Sequence, residues 1–323
     1  SPPYNVDGWW LDVAADLGCS NEYNHMFWKR FRKEVKSANP DVLILAEHYG
    51  DPVEWLQGDE WDSVMNYDAF MEPLTWSLTG MEKHSDERRT DLWGNPDNFV
   101  GTMRHFMASM LTPSLQVAMN QLSNHDHSRF LTRTNHIVGR AHQVGVKAAE
   151  EGINHAVMRI AVTVQMTWVG SPTIYYGDEA GLCGFTDPDN RRTYPWGKEN
   201  KELLEFHKEM IRIHKTEKPL RKGSIKLLKA EKNFLAYARF QGGEQIVVIL
   251  NNSKELMQNI TVPVWYAGVP KEGRMKQLIY SYEEGYTVDY SEYIVENGEI
   301  ILNIGRHSAI VLKPVKTTDP FSR

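Results

Sequence analysis

The stretch Val6-Asp7-Gly8-Trp9-Trp10-Leu11-Asp12-Val13 (residues 6–13) and the segments that follow it decide the fold. Apolar and aromatic, residues 6–14 read as a buried strand. Asn21 to Ala38 comes next, with Tyr23, Phe27, Phe31 and Val35 recurring every four residues as one apolar helix face. Asn39-Pro40 ends that helix, because proline disfavours helical geometry in the residue before it. Val42-Leu43-Ile44-Leu45-Ala46 is then a short continuous apolar run, the form a strand takes when both of its faces are covered. Strand, helix and strand in this order make a β/α unit, and repetition of the unit implies a parallel sheet.

The alternation continues to about residue 218. Residues 61–67, 115–122 and 173–176 read as further strands, and residues 98–110, 153–168 and 201–214 as helices. Five such strands are too few for a closed eight-stranded barrel and fit the second half of one. An open doubly wound sheet would carry a Gly-rich phosphate fingerprint near its first turn, and none is present. After Lys218-Pro219-Leu220 the texture changes to short apolar runs (225–228, 235–240, 246–250, 260–262, 277–280, 300–304 and 309–313) separated by Gly, Asn, Asp and Lys. That spacing predicts an antiparallel sandwich. The expected fold class is therefore α/β: the C-terminal part of a (β/α)8 TIM barrel over residues 1–218, then an antiparallel β-sandwich domain over residues 219–323.

Composition narrows the function. The 323 residues are 41% apolar, 24% charged and 11% aromatic, with a net charge of −6, which is the profile of a soluble globular protein. An acidic balance without a basic block argues against nucleic acid or an anionic membrane as the main partner. The most apolar stretch, residues 156–169, is interrupted by Arg159 and Gln165 and reads as a core helix rather than a membrane span. Cys19 and Cys183 can make neither a disulfide framework nor a Cys-only metal site, and they lean the location, otherwise unknown, toward the cytoplasm. Ser1-Pro2-Pro3-Tyr4 shows no initiator Met and no signal-like run before the first strand. The chain is thus expected to belong to a longer polypeptide, whose N-terminal part would be its first partner.

In a β/α barrel the chemistry sits at the C-terminal ends of the strands. Asp12 closes the first strand, Glu47 closes the second, and Asp126 follows the strand ending near Leu122. Asp12 and Glu47 lie 35 residues apart, close to one β/α unit when about 250 residues make eight. Adjacent units would bring the two acids to one mouth, as nucleophile and proton donor at the roughly 5 Å separation of a retaining glycosidase.

Here the residues resemble glycoside hydrolase family 13, the alpha-amylase family. Asp7-Gly8-Trp9-Trp10-Leu11-Asp12-Val13-Ala14 is similar to its nucleophile block, Leu45-Ala46-Glu47-His48 to its acid/base block, and Ser123-Asn124-His125-Asp126 to its third-carboxylate block. The stretch from Gly170 to Glu179 resembles the eighth-strand signature. Asp62-Ser63-Val64-Met65-Asn66-Tyr67 and Asp187-Pro188-Asp189-Asn190-Arg191-Arg192 resemble the neopullulanase, cyclomaltodextrinase and amylopullulanase branch.

The resemblance implies a retaining hydrolase of α-1,4 and also α-1,6 glucosidic bonds in starch, maltodextrin, pullulan or cyclodextrin. Asp12 would be nucleophile, Glu47 acid and base, and Asp126 the carboxylate that binds ring hydroxyls. His125 would bond a sugar hydroxyl, Asp187 and Arg191 would grip a more distant sugar, and Asp16 and His48 would line the leaving-group side. Tyr49, Tyr194 and Trp196 are the best candidates for stacking on sugar faces, whereas the sandwich carries only Trp265 and is a poor carbohydrate-binding module by itself. No cofactor is implied. His125-Asp126-His127 lacks a third ligand at metal spacing, and the calcium-bearing segments of the family would lie mostly upstream.

Two departures stand out. The family's nucleophile block carries Arg two residues before its Asp, and this chain has Trp10 there, so the expectation is that Arg104 or Arg129 compensates or that the nucleophile is weakened. The family's first conserved block has no counterpart, so the chain alone is expected to be inactive. Glycosyl transfer by the same site, or a catalytically silent homologue, are the alternatives.

Overall fold

A computed structural model describes residues 4–315. By its internal contacts the chain divides into two compact units: Ser1–Pro73 with Gly101–Gln121 and Gly170–Thr173, and Leu74–Val100 with Leu122–Val169 and Ile174–Arg323. Each is described by itself.

The first unit is a parallel β/α arrangement. Strand β1 (Gly8–Leu11) leads through helix α1 (Asn21–Ala38) to β2 (Leu43–Ala46), which pairs with β3 (Ser63–Val64). A parallel bridge from Met65 to Met119 links on to β4 (Met119–Gln121), and β4 pairs with β5 (Ser171–Thr173). The strands therefore run parallel in chain order, as the alternation predicts.

Helix α1 has the expected bounds. Ser20 caps it by accepting the Tyr23 N–H at 3.2 Å, Glu22 sits in its first turn and Lys36 in its last, matching the helix dipole. Its inward face, however, is turned one residue from the expected one. Asn24 and Trp28 are buried, while Tyr23 and Phe27 are exposed. The cause is hydrogen bonding: the Asn24 amide donates to the carbonyls of Ala14, Ala15 and Leu17 at 3.0 Å each, and the Trp28 indole donates to Ala14 O at 2.8 Å.

The strand expectations need three further corrections. β1 is not a buried strand: Gly8, Trp9 and Trp10 are exposed and only Leu11 is buried, because β1 pairs on one side alone among the described residues. Residues 115–122 begin as a short helix (Thr112–Gln116) and become strand only at Met119. The last parallel strand ends at Thr173 rather than beginning there.

Asp62 ties α1 to this sheet. Arg32 reaches one of its oxygens at 2.7 Å, and Lys36 (2.8 Å) and the Ile44 N–H (2.9 Å) reach the other. Burial alone would raise the Asp62 pKa, but the Lys36 and Arg32 bonds outweigh it and hold the carboxyl below its ordinary value.

In the second unit α7 (His155–Thr167) is buried almost all round, Arg159 and Gln165 included, as its reading as a core helix predicts; α8 (Lys201–Thr216) and α9 (Lys218–Lys222) follow it. Numbering follows chain order, α2 (Glu72–Thr79) and α3 (Pro96–Ser109) containing the boundaries between the units and α4–α6 being short. From Ser224 the chain is all strand. A seven-stranded antiparallel sheet has the order β11-β10-β14-β8-β7-β6, with β12 on β10, and faces a two-stranded pair, β13-β9. These are β6 (Ser224–Glu231), β7 (Phe234–Gln241), β8 (Glu244–Asn251), β9 (Met257–Val262), β10 (Gly273–Tyr282), β11 (Gly285–Thr287), β12 (Glu292–Val295), β13 (Ile300–Ile304) and β14 (Ser308–Pro314). Strands β11 and β12 are absent from the sequence expectation.

The period of two explains how β7 is buried on both faces. Phe234, Ala236 and Ala238 join the core with Val262, Ile300 and Leu302 of the small pair. The alternate residues Tyr237 and Arg239 face α7: the Tyr237 hydroxyl meets Thr167 Oγ1 at 2.5 Å, and Arg239 donates to the carbonyls of Thr167, Trp168 and Gly223 at 2.7–2.8 Å. Arg239 thereby satisfies backbone acceptors that the end of α7 leaves open.

Two outcomes are expected. Asp62→Asn costs about 1–2 kcal/mol at pH 7 by urea denaturation. Because the native pKa of Asp62 is depressed, this contribution is present above the ordinary carboxylate value near 4 and is lost as pH falls through the lower native value, so wild type and variant converge below about pH 3. Arg239→Met leaves three carbonyls bare and lowers stability by about 3 kcal/mol, measured the same way; a loss under about 0.5 kcal/mol would contradict the capping role.

Candidate active site

The first unit holds Asp12, Asp16, Glu47 and His48. β1 and β2 pair in register with Leu11 opposite Ala46, and the Glu47 N–H donates to Leu11 O at 2.8 Å. Asp12 and Glu47, each the next residue, therefore leave the same end of neighbouring parallel strands, about 4.8 Å apart. Asp12 is exposed and has no ion-pair partner among the described residues, whereas Glu47 is buried.

Val13 connects the two acids. Its backbone is left-handed (φ 45°, ψ 43°), an outlier for a β-branched residue, and in that conformation its N–H reaches Glu47 Oε2 at 3.2 Å. The strain costs about 1–3 kcal/mol. The hydrogen bond to Glu47 offsets about 1 kcal/mol of that cost. The Asn24 amide holds the three carbonyls beyond it, and the Trp55 indole in turn bonds Asn24 Oδ1 at 2.8 Å. Sequence reading missed Asn24; its signal is a polar residue one helical turn before the inward Trp28.

Beside this turn lies a cavity of about 190 Å³ lined by Val13, Ala15, Asp16, Glu47, His48 and Tyr49. Three of the predicted site residues thus share one cavity, and Asp12 is not among its lining. His48 packs against Trp55 (ring centroids 4.9 Å apart) and Tyr49 stacks on Tyr67 at 4.2 Å and 12°. Tyr67 is buried, and burial first, then its bond to Tyr49, raises its phenol pKa. It acts as a neutral hydroxyl on an apolar wall.

The second unit gathers His125, Asp126, Asp187 and Arg191. Arg191 Nε meets Asp187 Oδ1 at 2.5 Å, its Nη2 lies 3.9 Å from Asp126 Oδ1, and His125 Nε2 lies 3.6 Å from the same oxygen. All four are half-exposed, so the Arg191–Asp187 pair contributes little to stability and leaves polar groups facing solvent. Asn190, fully buried, latches the two loops together: its amide donates to Asn124 O at 3.1 Å and His127 O at 2.7 Å, and the Thr186 hydroxyl donates to Asp126 O. The peptide between Asp187 and Pro188 is cis. His127 is buried and pushed down to about 2, first by burial and then by Arg133, so it is a neutral imidazole.

Trp10 stands where the resemblance leads one to expect arginine. Its indole N–H points at Met65 Sδ, 3.2 Å away, and supplies no charge. Neither expected substitute takes over. Arg104 is exposed and in no ion pair among the described residues, and Arg129 is buried with Asp178 at 3.0 Å, Tyr176 O at 2.8 Å and Asn190 O at 2.9 Å. Among the described residues the one group of side chains close enough to share a metal ion is Glu82, His84 and Asp86. Arg140 already bonds both oxygens of Asp86, at 2.9 and 2.6 Å, so the cluster is neutralised from within.

Comparison with known proteins agrees with these blocks. A family model described as the alpha amylase catalytic domain matches residues 3–223, and one described as the alpha amylase C-terminal all-beta domain matches residues 225–315. Over 256 residues the chain is 38% identical to neopullulanase 2 of Thermoactinomyces vulgaris, covering 77% of this chain and 37% of that protein. Over 265 residues it is 34% identical to a cyclomaltodextrinase of Geobacillus thermopakistaniensis strain MAS1, covering 81% and 39%. It spans less than two fifths of the length of either relative. Among solved structures, a cyclomaltodextrinase superposes with a TM-score of 0.71 at 28% identity, covering 96% of this chain and 46% of that one. A debranching enzyme from Nostoc punctiforme superposes at 0.75 and 24%, covering 96% and 58%, a likeness of fold. The chain therefore belongs to the alpha-amylase family, with the C-terminal part of the (β/α)8 catalytic barrel in residues 3–223 and the C-terminal all-β domain in residues 225–315.

Proposed function

We propose that this chain carries the catalytic acids of a retaining α-glucan hydrolase that cleaves α-1,4 and α-1,6 glucosidic bonds. The observation that carries the reading is the pairing of Leu11 with Ala46, which starts Asp12 and Glu47 from neighbouring strand ends. A retaining pair needs carboxyl groups about 5–5.5 Å apart, and one strand spacing suits that requirement. Asp12 would attack the anomeric carbon while Glu47 protonates the departing oxygen. Glu47 would then take a proton from water as the glycosyl ester is hydrolysed.

Asp126, with His125 beside it, would bind ring hydroxyls of a glucosyl unit; Asp187 and Arg191 would hold a more distant one. Asp16 and His48, in the Glu47 cavity, would line the leaving-group side. The chemistry uses carboxyl groups alone, and no cofactor enters it. Relatives named neopullulanase and cyclomaltodextrinase support the substrate class. The unpaired edge of β1, with Trp9 and Trp10 exposed, supports a further part of the reading: preceding β/α units of the same polypeptide pair along it.

Trp10 favours a second reading, a weakened or silent homologue on the same fold. One substitution separates the two. In the intact polypeptide Glu47→Gln is expected to lower kcat on maltodextrin by about 10³-fold or more, whereas a silent homologue shows no activity to lose. A 2-fluoro glucosyl trap followed by mass spectrometry should label Asp12; an unlabelled Asp12 beside a labelled control amylase would overturn the retaining mechanism. The 323 residues alone are expected to be insoluble or inactive until the complementary barrel half is co-expressed. A soluble, starch-degrading 323-residue monomer would refute the pairing along β1.

A further inference from the structure

We infer that Trp196 is a stacking platform for a glucosyl unit of a long α-glucan, outside the sugar held by Asp187 and Arg191. This rests on the proposed function and adds what decides chain-length preference. Trp196 is 81% exposed, the most exposed tryptophan among the described residues. An indole so exposed offers a broad apolar face on which a ligand can lie.

The loop that bears it is tightly held. On one side Arg192 bonds Glu150 at 2.6 Å, Asp189 at 2.9 Å and Val146 O at 2.8 Å, while the Tyr176 hydroxyl donates to Arg192 O at 2.8 Å. On the other, the Asn200 N–H donates to Ala180 O at 2.9 Å, and the Asn200 side chain caps α8 through the Leu203 N–H. Between these anchors the Trp196 N–H bonds Tyr194 O at 2.9 Å, and Gly197, at φ 74°, donates to Glu199 Oε1 at 3.0 Å. The Tyr194 ring, 4.5 Å from the indole and tilted by 50°, sets its angle. An aromatic ring placed in advance in this way loses little freedom when a ligand lands on it.

The surroundings identify the ligand. Along the chain Thr193 and Lys198 are exposed on either side of Trp196, and the half-buried Tyr194 ring lies against it, so the indole is flanked by polar groups as well as by one ring. A pyranose has the matching character, with a face of C–H groups inside a ring of hydroxyls. A protein partner would need more apolar area than one side chain. Trp196 is five residues beyond Arg191, a reach of at most about 17 Å. That upper limit keeps it within a few glucosyl units of the Arg191 site.

The test is calorimetric titration of the intact polypeptide with maltotriose and with maltoheptaose, for the wild-type, Trp196→Ala and Trp196→Phe forms, each in a Glu47→Gln background that binds the sugars without cleaving them. Trp196→Ala is expected to bind maltoheptaose about tenfold more weakly and maltotriose within about twofold of wild type, with Trp196→Phe recovering most of the loss. Unchanged maltoheptaose binding in Trp196→Ala, or equal weakening toward both sugars, would overturn the inference while leaving the proposed function standing. A wild type that binds neither sugar would overturn both.

Discussion

The register of one strand pair governs the acids of the first unit. Because Leu11 faces Ala46 along a parallel ladder, the residues that follow emerge side by side, and a slip by one position would send one carboxylate to the other face of the sheet. Register alone does not aim the side chains. The left-handed Val13 supplies a backbone N–H to Glu47, and Asn24, donating to three carbonyls of the next turn, keeps the chain from relaxing out of that conformation. The strain is local and its support comes from a helix more than ten residues away in sequence. This is how a short, partly exposed strand can still present a well-defined pair of acids.

The second unit solves a similar problem without strands. His125, Asp126 and Asp187 lie on irregular segments and Arg191 ends a single 3-10 turn (Asp189–Arg191), where exposed backbone would ordinarily be mobile. Buried polar side chains take the place of a sheet ladder. Asn190 bonds two carbonyls of the 124–127 turn, and Arg129 ties residues 176, 178 and 190 together through three separate bonds. Burial pushes the Asp178 carboxyl up and the Arg129 ion pair opposes it; breaking that pair would leave an uncompensated charge inside the protein. The half-exposed candidate residues are thus held in place by fully buried ones.

Long periodic segments were legible in the sequence, and short ones were legible only as blocks. Helix α1 and strand β13 have the expected bounds, because each has a clear period over its whole length. The face of α1 was misread because apolarity pointed to Tyr23 and Phe27, whereas three hydrogen bonds outweigh a ring and turn Asn24 inward. Strands of two to four residues, such as β3 and β5, carry no usable period. Strands β11 and β12 are polar enough to read as turns, and their pairing with β10 is what makes them strands. The three acids were legible from their places at strand ends and the other candidate residues only through resemblance; Asn24, which holds the turn beside Glu47, and Asn190, which holds the 124–127 turn, look like ordinary surface asparagines until their partners are known.

The Trp10 substitution then acquires a physical meaning. A carboxylate exposed to water, as Asp12 is, has its charge solvated and needs no neighbouring cation. The requirement changes when a sugar covers it, because water leaves and only protein groups remain to meet the charge. An arginine at position 10 would meet it; an indole whose N–H is directed to the Met65 thioether does not. The consequence of the substitution therefore falls on the substrate-filled site rather than on the empty one, and it grows as the site becomes drier.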